Sequence, residues 1–425
     1  MDKYIEKIKN ILKSKVLKNG IWLIILQIVN TIIPVITIPY ITRILGASEY
    51  GVFSIALNWI LYLQVLVEFG FGLSGARKVA ILKDNNKEEL NKIYNNIISA
   101  RILLLIISFV FMNIIALLSR FEIKVYIGML VLFIMIIGTT FQLTWLFQGK
   151  QDMKFITVIN VIARVISFIL IFVLVRTSND LYLYCLLYSV TMLISSIISN
   201  IIAYRKYYLK FKFSGFIEIK EEIEDAKYLF ASSAMAKIFN GFGITILGIV
   251  STSKITGIYS AIFKLPYVLT MFFYPITQAI YPYISSKFKN NYNSGINTVK
   301  KMSIPIFLIF LIPAIIIVLF RNNIINLLFG DEYVGYSLIV IPLVLQFLFA
   351  IINNLLGIQI LVASGNQKRY SISLMISCIA IVAFNIILGK LFTIYGVAWA
   401  SFLSEIILTI ALIFNCKKME KKDEN

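Results

Sequence analysis

Histidine is absent from this 425-residue chain. With it go the commonest metal ligand, the commonest general base and any histidine proton relay. No metal site and no cofactor are therefore expected, and zinc proteases and membrane-bound acyltransferases are disfavoured. Cysteine is scarce: Cys185, Cys378 and Cys416 make an odd count whose spacing fits neither a disulfide framework nor a zinc site. They read as small buried hydrophobes. Charge is scarce too, at 14% of residues against about 25% in soluble domains. No long polar linker breaks the chain, although a soluble chain of this length would split into two or more domains. These absences exclude a soluble enzyme, a secreted disulfide scaffold and a disordered protein.

What is present is apolar: 59% of residues are hydrophobic, gathered in repeated blocks about 20 residues long, the length that crosses a bilayer as helix. Twelve spans are expected: 20–41, 52–74, 97–118, 125–147, 155–175, 182–203, 229–249, 257–282, 303–320, 337–363, 370–389 and 395–415. The first is too long for a cleaved signal peptide and lacks its small-residue exit. With a cytoplasmic N-terminus, 29 of the 40 Lys and Arg fall in cytoplasmic segments, 7 in outer loops and 4 within spans. This is a strong positive-inside bias, and it puts both termini in the cytoplasm. The net charge of +19 thus orients the chain and attracts anionic lipid head groups; nothing asks for nucleic acid.

The longest loop, 204–228, carries Arg205, Lys206, Lys210 and Lys212 and then Glu218, Glu221, Glu222, Glu224 and Asp225. It reads as a solvated amphipathic connector. The expected organisation is a basic N-terminus (1–19), a first lobe of six spans (20–203), a linker (204–228), a second lobe of six spans (229–415) and a tail (416–425). Two short matches link the halves. Gly51-Val-Phe-Ser-Ile-Ala opens span 2 and Gly257-Ile-Tyr-Ser-Ala-Ile opens span 8; Gly149-Lys-Gln precedes span 5 and Gly365-Asn-Gln precedes span 11. An even number of spans per half makes the repeat parallel, as in many secondary transporters, which bind substrate at the repeat interface. Chance similarity in apolar sequence is the plainer account. The fold class is all-α integral membrane, with about twelve transmembrane helices in two six-helix lobes.

All eight prolines lie in expected spans. Each removes a helix hydrogen bond, and Pro34, Pro39, Pro266 and Pro275 are candidate hinges or static kinks. Six ionisable residues also lie in spans. Glu68 and Arg101 sit at similar depth, fit for a salt bridge or for ion coupling. Arg164, Lys237, Lys264 and Glu405 are deeper, roughly 12–15 Å from a span end. A charge at the bilayer centre costs about 2.5–3.5 kcal/mol, so each needs a wet cavity or a partner. Three cations against Glu405 make a cationic site suited to a phosphate or diphosphate. Asn160 shares the face of Arg164 and Asn240 that of Lys237; their amides suit sugar hydroxyls or helix–helix contacts. Glu405 could carry a coupling ion or pair with a cation.

Several segments carry a family resemblance: Ile38-Pro-Tyr-Ile-Thr-Arg-Ile-Leu-Gly46 with Tyr50-Gly51, Trp145-Leu-Phe-Gln-Gly149 with Lys154-Phe155, Gly257-Ile-Tyr-Ser-Ala261 with Lys264, and Gly396-Val-Ala-Trp-Ala400. In this order they resemble bacterial polysaccharide flippases, the O-antigen and capsule repeat-unit exporters of the multidrug/oligosaccharidyl-lipid/polysaccharide superfamily. The resemblance implies two six-helix lobes around a central cavity in the bacterial plasma membrane. It implies alternating-access movement of a polyprenyl-diphosphate-linked oligosaccharide to the outer leaflet, with the cationic cavity on Arg164, Lys237 and Lys264. Arg43 matches an arginine that ends the family's first span, in a packing or loop-capping role. Implied partners are the lipid-linked oligosaccharide, membrane lipids and other polysaccharide-assembly membrane proteins, with a monomer expected and no enzymatic step. The alternatives are an ion-coupled drug or cation antiporter, which should want a more acidic cavity, and a polyprenyl-dependent glycosyltransferase or polymerase, which should want larger outer loops.

Overall fold

The computed structural model describes residues 15–82, 86–119 and 121–423. Among these there is no strand. Ten helical segments are long and apolar enough to cross a membrane. The first runs from Lys18 to Ile81 and the last from Gln367 to Met419, and each contains two of the expected spans. Helix α1 (Lys15–Glu68) would measure about 80 Å if straight, nearly three times the hydrocarbon thickness. It is broken at Gly46 (φ 74°), a left-handed position that glycine occupies without steric cost. The C-terminal helix α15 (Gln367–Asp423) is broken at Thr393 (φ 48°). Between them lie α2 (Phe71–Ile81), α3 (Lys87–Ser119), α4 (Ile123–Phe141), α5 (Thr144–Gly149), α6 (Met153–Leu174) and α7 (Leu181–Tyr207). Then follow α8 (Phe216–Val250), α9 (Ser253–Ile262), α10 (Lys264–Asn290), α11 (Tyr292–Leu319), α12 (Arg321–Phe329), α13 (Asp331–Val334) and α14 (Val340–Asn354).

The prolines are absorbed without such breaks. Pro34 and Pro39 lie inside helical stretches of α1, whose one non-helical residue is Gly46. Pro266 occupies the first turn of α10, where its missing N–H has no intrahelical acceptor to lose. Pro275 lies within the same helix.

The chain packs as two compact units. The first comprises the described residues of 1–37 and 56–237, the second those of 38–55 and 238–425. In the first unit, α4 and α7 approach closely because Gly138 has no side chain; a Cβ there would lie 2.6 Å from the Leu193 amide nitrogen. Ser189 on α7 donates to the Val131 carbonyl of α4 and Ser167 on α6 to the Leu187 carbonyl of α7, so small and hydroxylic residues line the helix contacts, as is usual where lipid provides no hydrophobic drive. In the second unit, Phe273, Ile306, Phe310, Phe347, Ile351 and Leu355 form one core cluster. Leu361, Leu408, Leu412 and Met419 form another.

The second unit also contains the elbow of α1, and its attachment is polar. Arg43 donates from Nη2 to the carbonyls of Asn326 (2.7 Å) and Leu327 (2.6 Å) and from Nε to that of Leu328 (3.2 Å). A cation thus supplies donors to the Leu327 and Leu328 carbonyls at the C-terminal end of α12 and adds to the Gly330 amide on that of Asn326. This is the capping role the resemblance offered Arg43. Beyond the Gly46 break, the Ala47 amide donates to Glu332 (3.1 Å), which also pairs with Lys254 (2.8 Å). These contacts hold the Glu332 carboxyl below its ordinary range: the Lys254 hydrogen bond is the largest cause and the Ala47 amide assists, against a smaller opposing effect of burial.

Candidate functional site

Two helix breaks create the polar site of the first unit. Helix α1 ends at Glu68, and Phe69 (φ 44°) and Gly70 (φ 80°) are both left-handed before α2 starts. Gly70 is required there twice over, because a Cβ would also lie 2.5 Å from the Leu229 Cβ. Helix α4 ends at Phe141; Gln142 is extended (ψ 131°) and α5 begins at Thr144. The short continuing helices α2 and α5 then pack on each other through Gly75, where a Cβ would lie 2.9 Å from the Trp145 ring.

A helix that stops inside a bilayer leaves carbonyls without donors. Arg101, on α3 and only 3% exposed, supplies one: its Nη1 donates to the Gln142 carbonyl (2.9 Å) and adds a bond to the Thr139 carbonyl (3.3 Å), which also accepts the Gln142 amide (3.2 Å). Glu68 accepts from Gln64 (2.9 Å), whose amide also reaches the Thr139 hydroxyl (3.3 Å). The Gln142 side chain donates to Ser195 (3.0 Å) and Asn160 (3.5 Å). Arg101 and Lys237 lie close enough for their charges to act on Glu68. A cavity of about 210 Å³ opens beside this network, lined by Glu68, Arg101, Thr139, Gln142, Thr144 and Ser233 among others.

The structure therefore brings Glu68 and Arg101 to one cavity, and joins Asn160 to Arg101 through Gln142. Gln64, Thr139 and Gln142 are additions to the residues read from the sequence. The available signals were a glutamine four residues before Glu68 and a glutamine interrupting an apolar run. Arg164 is not part of this network. It is half-buried on α6, flanked by exposed Ile162, Val165 and Ile166, with no hydrogen-bond or ion-pair partner among the described residues.

The remaining expected residues belong to the second unit. Asn240 is exposed on α8. Lys264 opens α10, its ammonium 5.4 Å from the centroid of the Tyr267 ring, a cation–π distance. Glu405, 5% exposed on α15, is held by neutral groups. Asn353 donates to its carboxylate (2.6 Å) and to its backbone carbonyl (3.0 Å). Thr409 bridges the Asn353 side-chain oxygen (2.7 Å) and the Glu405 carbonyl (2.8 Å). No cation lies within ion-pair distance of Glu405 among the described residues. Immediately beyond Asn354 the helix widens to π geometry over Leu355–Val362, a form that appears often at functional sites.

Comparison with known proteins agrees with the helical membrane architecture. The family described as "Polysaccharide biosynthesis protein" matches residues 16–288. The chain is 26% identical over 361 residues to the "Putative O-antigen transporter" of Escherichia coli (strain K12), covering 84% of this chain and 86% of that protein. It is 26% identical over 406 residues to the "Probable low-salt glycan biosynthesis flippase Agl15" of Haloferax volcanii, covering 92% and 82%. Among solved structures, the fold is similar to "Lipid II flippase MurJ, inward closed conformation", with a TM-score of 0.72 at 14% identity over 94% of this chain and 87% of that one. It is also similar to an inward-facing multidrug resistance MATE transporter of the MOP superfamily, with a TM-score of 0.65 at 13% identity over 92% and 96%.

Proposed function

The chain belongs to the polysaccharide biosynthesis protein family, and from that premise we propose that it is a flippase. Its substrate is a polyprenyl-diphosphate-linked oligosaccharide, carried from the cytoplasmic to the outer leaflet by alternating access for cell-surface polysaccharide assembly. The observation that carries the reading is the set of three cations, Arg164, Lys237 and Lys264, kept within membrane-spanning helices where charge is costly. They lower the cost of moving a diphosphate through a low-dielectric region, while the lipid tail stays in the bilayer. Asn160 and Asn240 offer amides to sugar hydroxyls.

Glu68 and Glu405 are the carboxylates available for ion coupling. Glu405 is buried and Glu68 half-buried, and each carboxylate accepts from an amide, Asn353 and Gln64 respectively, a setting in which gain or loss of one charge changes the local balance. Pro34, Pro39, Pro266 and Pro275 are the hinge positions. The protein works in the bacterial plasma membrane with both termini cytoplasmic, as a monomer among membrane lipids and other polysaccharide-assembly proteins, and makes no covalent product.

Deletion of the gene, followed by mass analysis of lipid extracts, tests the reading directly. Accumulation of one lipid-linked glycan on the cytoplasmic side is the expected result. Normal surface glycan in the deletion strain overturns it. New covalent product from purified protein and lipid-linked sugar would favour a transferase instead.

A further inference from the structure

The loop after α7 is built, and its construction fits a lipid surface. Tyr208 turns the chain through a left-handed residue (φ 57°), Leu209 is buried, and residues 210–214 then run extended along α3. Alternate backbone amides are captured at one-turn intervals on that helix. Lys210 N donates to the Asn91 side chain (2.8 Å), Lys212 N to that of Asn95 (3.0 Å) and Ser214 N to the Ser99 hydroxyl (2.9 Å). The match is geometric: two extended residues span about 6.6 Å and four helical residues about 6 Å. The Ser214 hydroxyl adds a bond to Asn96 (2.7 Å). The strap therefore climbs roughly 12 Å along α3 and leaves it at Ser99, inside the apolar span expected from residue 97.

What the strap displays is aromatic and basic. Phe211 is 49% exposed, Phe213 56%, Phe216 74% and Ile217 72%. The Phe211 ring meets both Tyr94 and Phe213 edge-on at 6.5 Å, so the rings form one continuous row. Arg205, Lys210 and Lys212 are exposed beside them. Three of the nearby acids are engaged elsewhere: Glu222 by Lys78 (2.8 Å), Asp225 by Arg77 (3.1 Å) and Glu224 by Lys227 (2.7 Å). Among the acids of residues 205–225, Glu218 and Glu221 stand against the three cations. A soluble loop does not hold such rings in water, whereas aromatic rings with basic neighbours are the composition of a membrane interface.

We propose that residues 205–217 form an interfacial anchor, in which Phe211, Phe213 and Phe216 seat at the headgroup–acyl boundary and Arg205, Lys210 and Lys212 bind anionic phospholipid phosphate. The occupant is the anionic lipid of the same bilayer, and the anchor stands whether or not the chain is a flippase.

The test uses the full chain in phosphatidylcholine nanodiscs with and without phosphatidylglycerol. In a Phe213→Trp variant, the fluorescence gained over the parent is quenched by lipid brominated near the top of its acyl chains and is insensitive to aqueous iodide. Native mass spectrometry of the parent retains phosphatidylglycerol over phosphatidylcholine, and K210Q/K212Q lowers that retention on the order of tenfold with unchanged melting temperature. Quenching by iodide alone shows a solvated loop and overturns the proposal. Quenching by neither agent shows a protein cover, such as a second copy, and also overturns it, as does lipid retention unaffected by K210Q/K212Q.

Discussion

Gly51 and Gly257 meet backbone to backbone. A Cβ on Gly257 would lie 2.8 Å from the Gly51 amide nitrogen and would collide with the Ala47 carbonyl, while one on Gly51 would collide with the Ser253 carbonyl. The α1 elbow and α9 therefore cross at a distance only glycine permits. The same two glycines open the short sequence match between the halves of the chain, so the matching residues are also contacting residues. Gly257→Ala is expected to destabilise the protein by at least the roughly 1–3 kcal/mol typical of overpacking, because the obstacle is backbone rather than a flexible side chain. Gly335→Ala, with nothing within 4 Å, is the neutral control. Thermal unfolding of detergent-solubilised protein followed by size-exclusion distinguishes them, and equal melting temperatures would refute the close crossing.

Arg101 and Arg164 should separate structure from transport. Arg101→Ala leaves the Gln142 carbonyl without its donor, at a cost of about 1–3 kcal/mol, while the Thr139 carbonyl keeps the Gln142 amide (3.2 Å). A lower melting temperature is expected. Among the described residues Arg164 has no partner that its loss would strand, so Arg164→Ala should stay within about 0.5 kcal/mol of the parent while export of the lipid-linked glycan is lost. Full export by Arg164→Ala, at normal membrane abundance, would remove Arg164 from the substrate site.

The Glu332 contacts predict a pH dependence with a definite sign. The folded carboxyl is held below its ordinary value of 4.5. Its stabilising effect is therefore complete above the unfolded value and lost as pH falls through the folded one. In melting experiments from pH 7 down to pH 3, the parent should lead Glu332→Gln at neutral pH and the gap should close in the acid range. A gap that is constant across this range would show that the Lys254 and Ala47 contacts do not depend on the charge.

Glu405→Gln keeps a side-chain oxygen for Asn353 and should preserve the fold, whereas Asn353→Leu takes the donor from the carboxylate and the acceptor from the Thr409 hydroxyl. Melting temperatures should follow that order. If Glu405 also couples an ion, Glu405→Gln will lose transport while keeping its stability. Parent-like transport at every imposed proton or sodium gradient would exclude it.

The sequence displayed most of the helical framework, because a span needs only about 20 apolar residues and each apolar block declares itself. The breaks were harder to see. Gly46 and Thr393 interrupt their helices without a proline, while Pro34 and Pro39 sit in helix, so proline does not mark these two breaks. Arg101 drew notice as a charge in a span, but its acceptors are carbonyls of a helix that ends 38 to 41 residues later, which no local pattern exposes. Glu405 was equally visible, and its Asn353 partner was not. The ladder from 210–214 to α3 depends on two periodicities matching across more than a hundred residues, a relation that appears only once the segments lie side by side.

The Arg43 cap has a consequence for how the protein is made. Its acceptors come 283 to 285 residues later in the chain. At roughly 5–20 residues per second, the arginine leaves the ribosome on the order of 15–60 s before its acceptors exist. During that interval the elbow of α1 is without its α12 acceptors. Completion of α12 closes it.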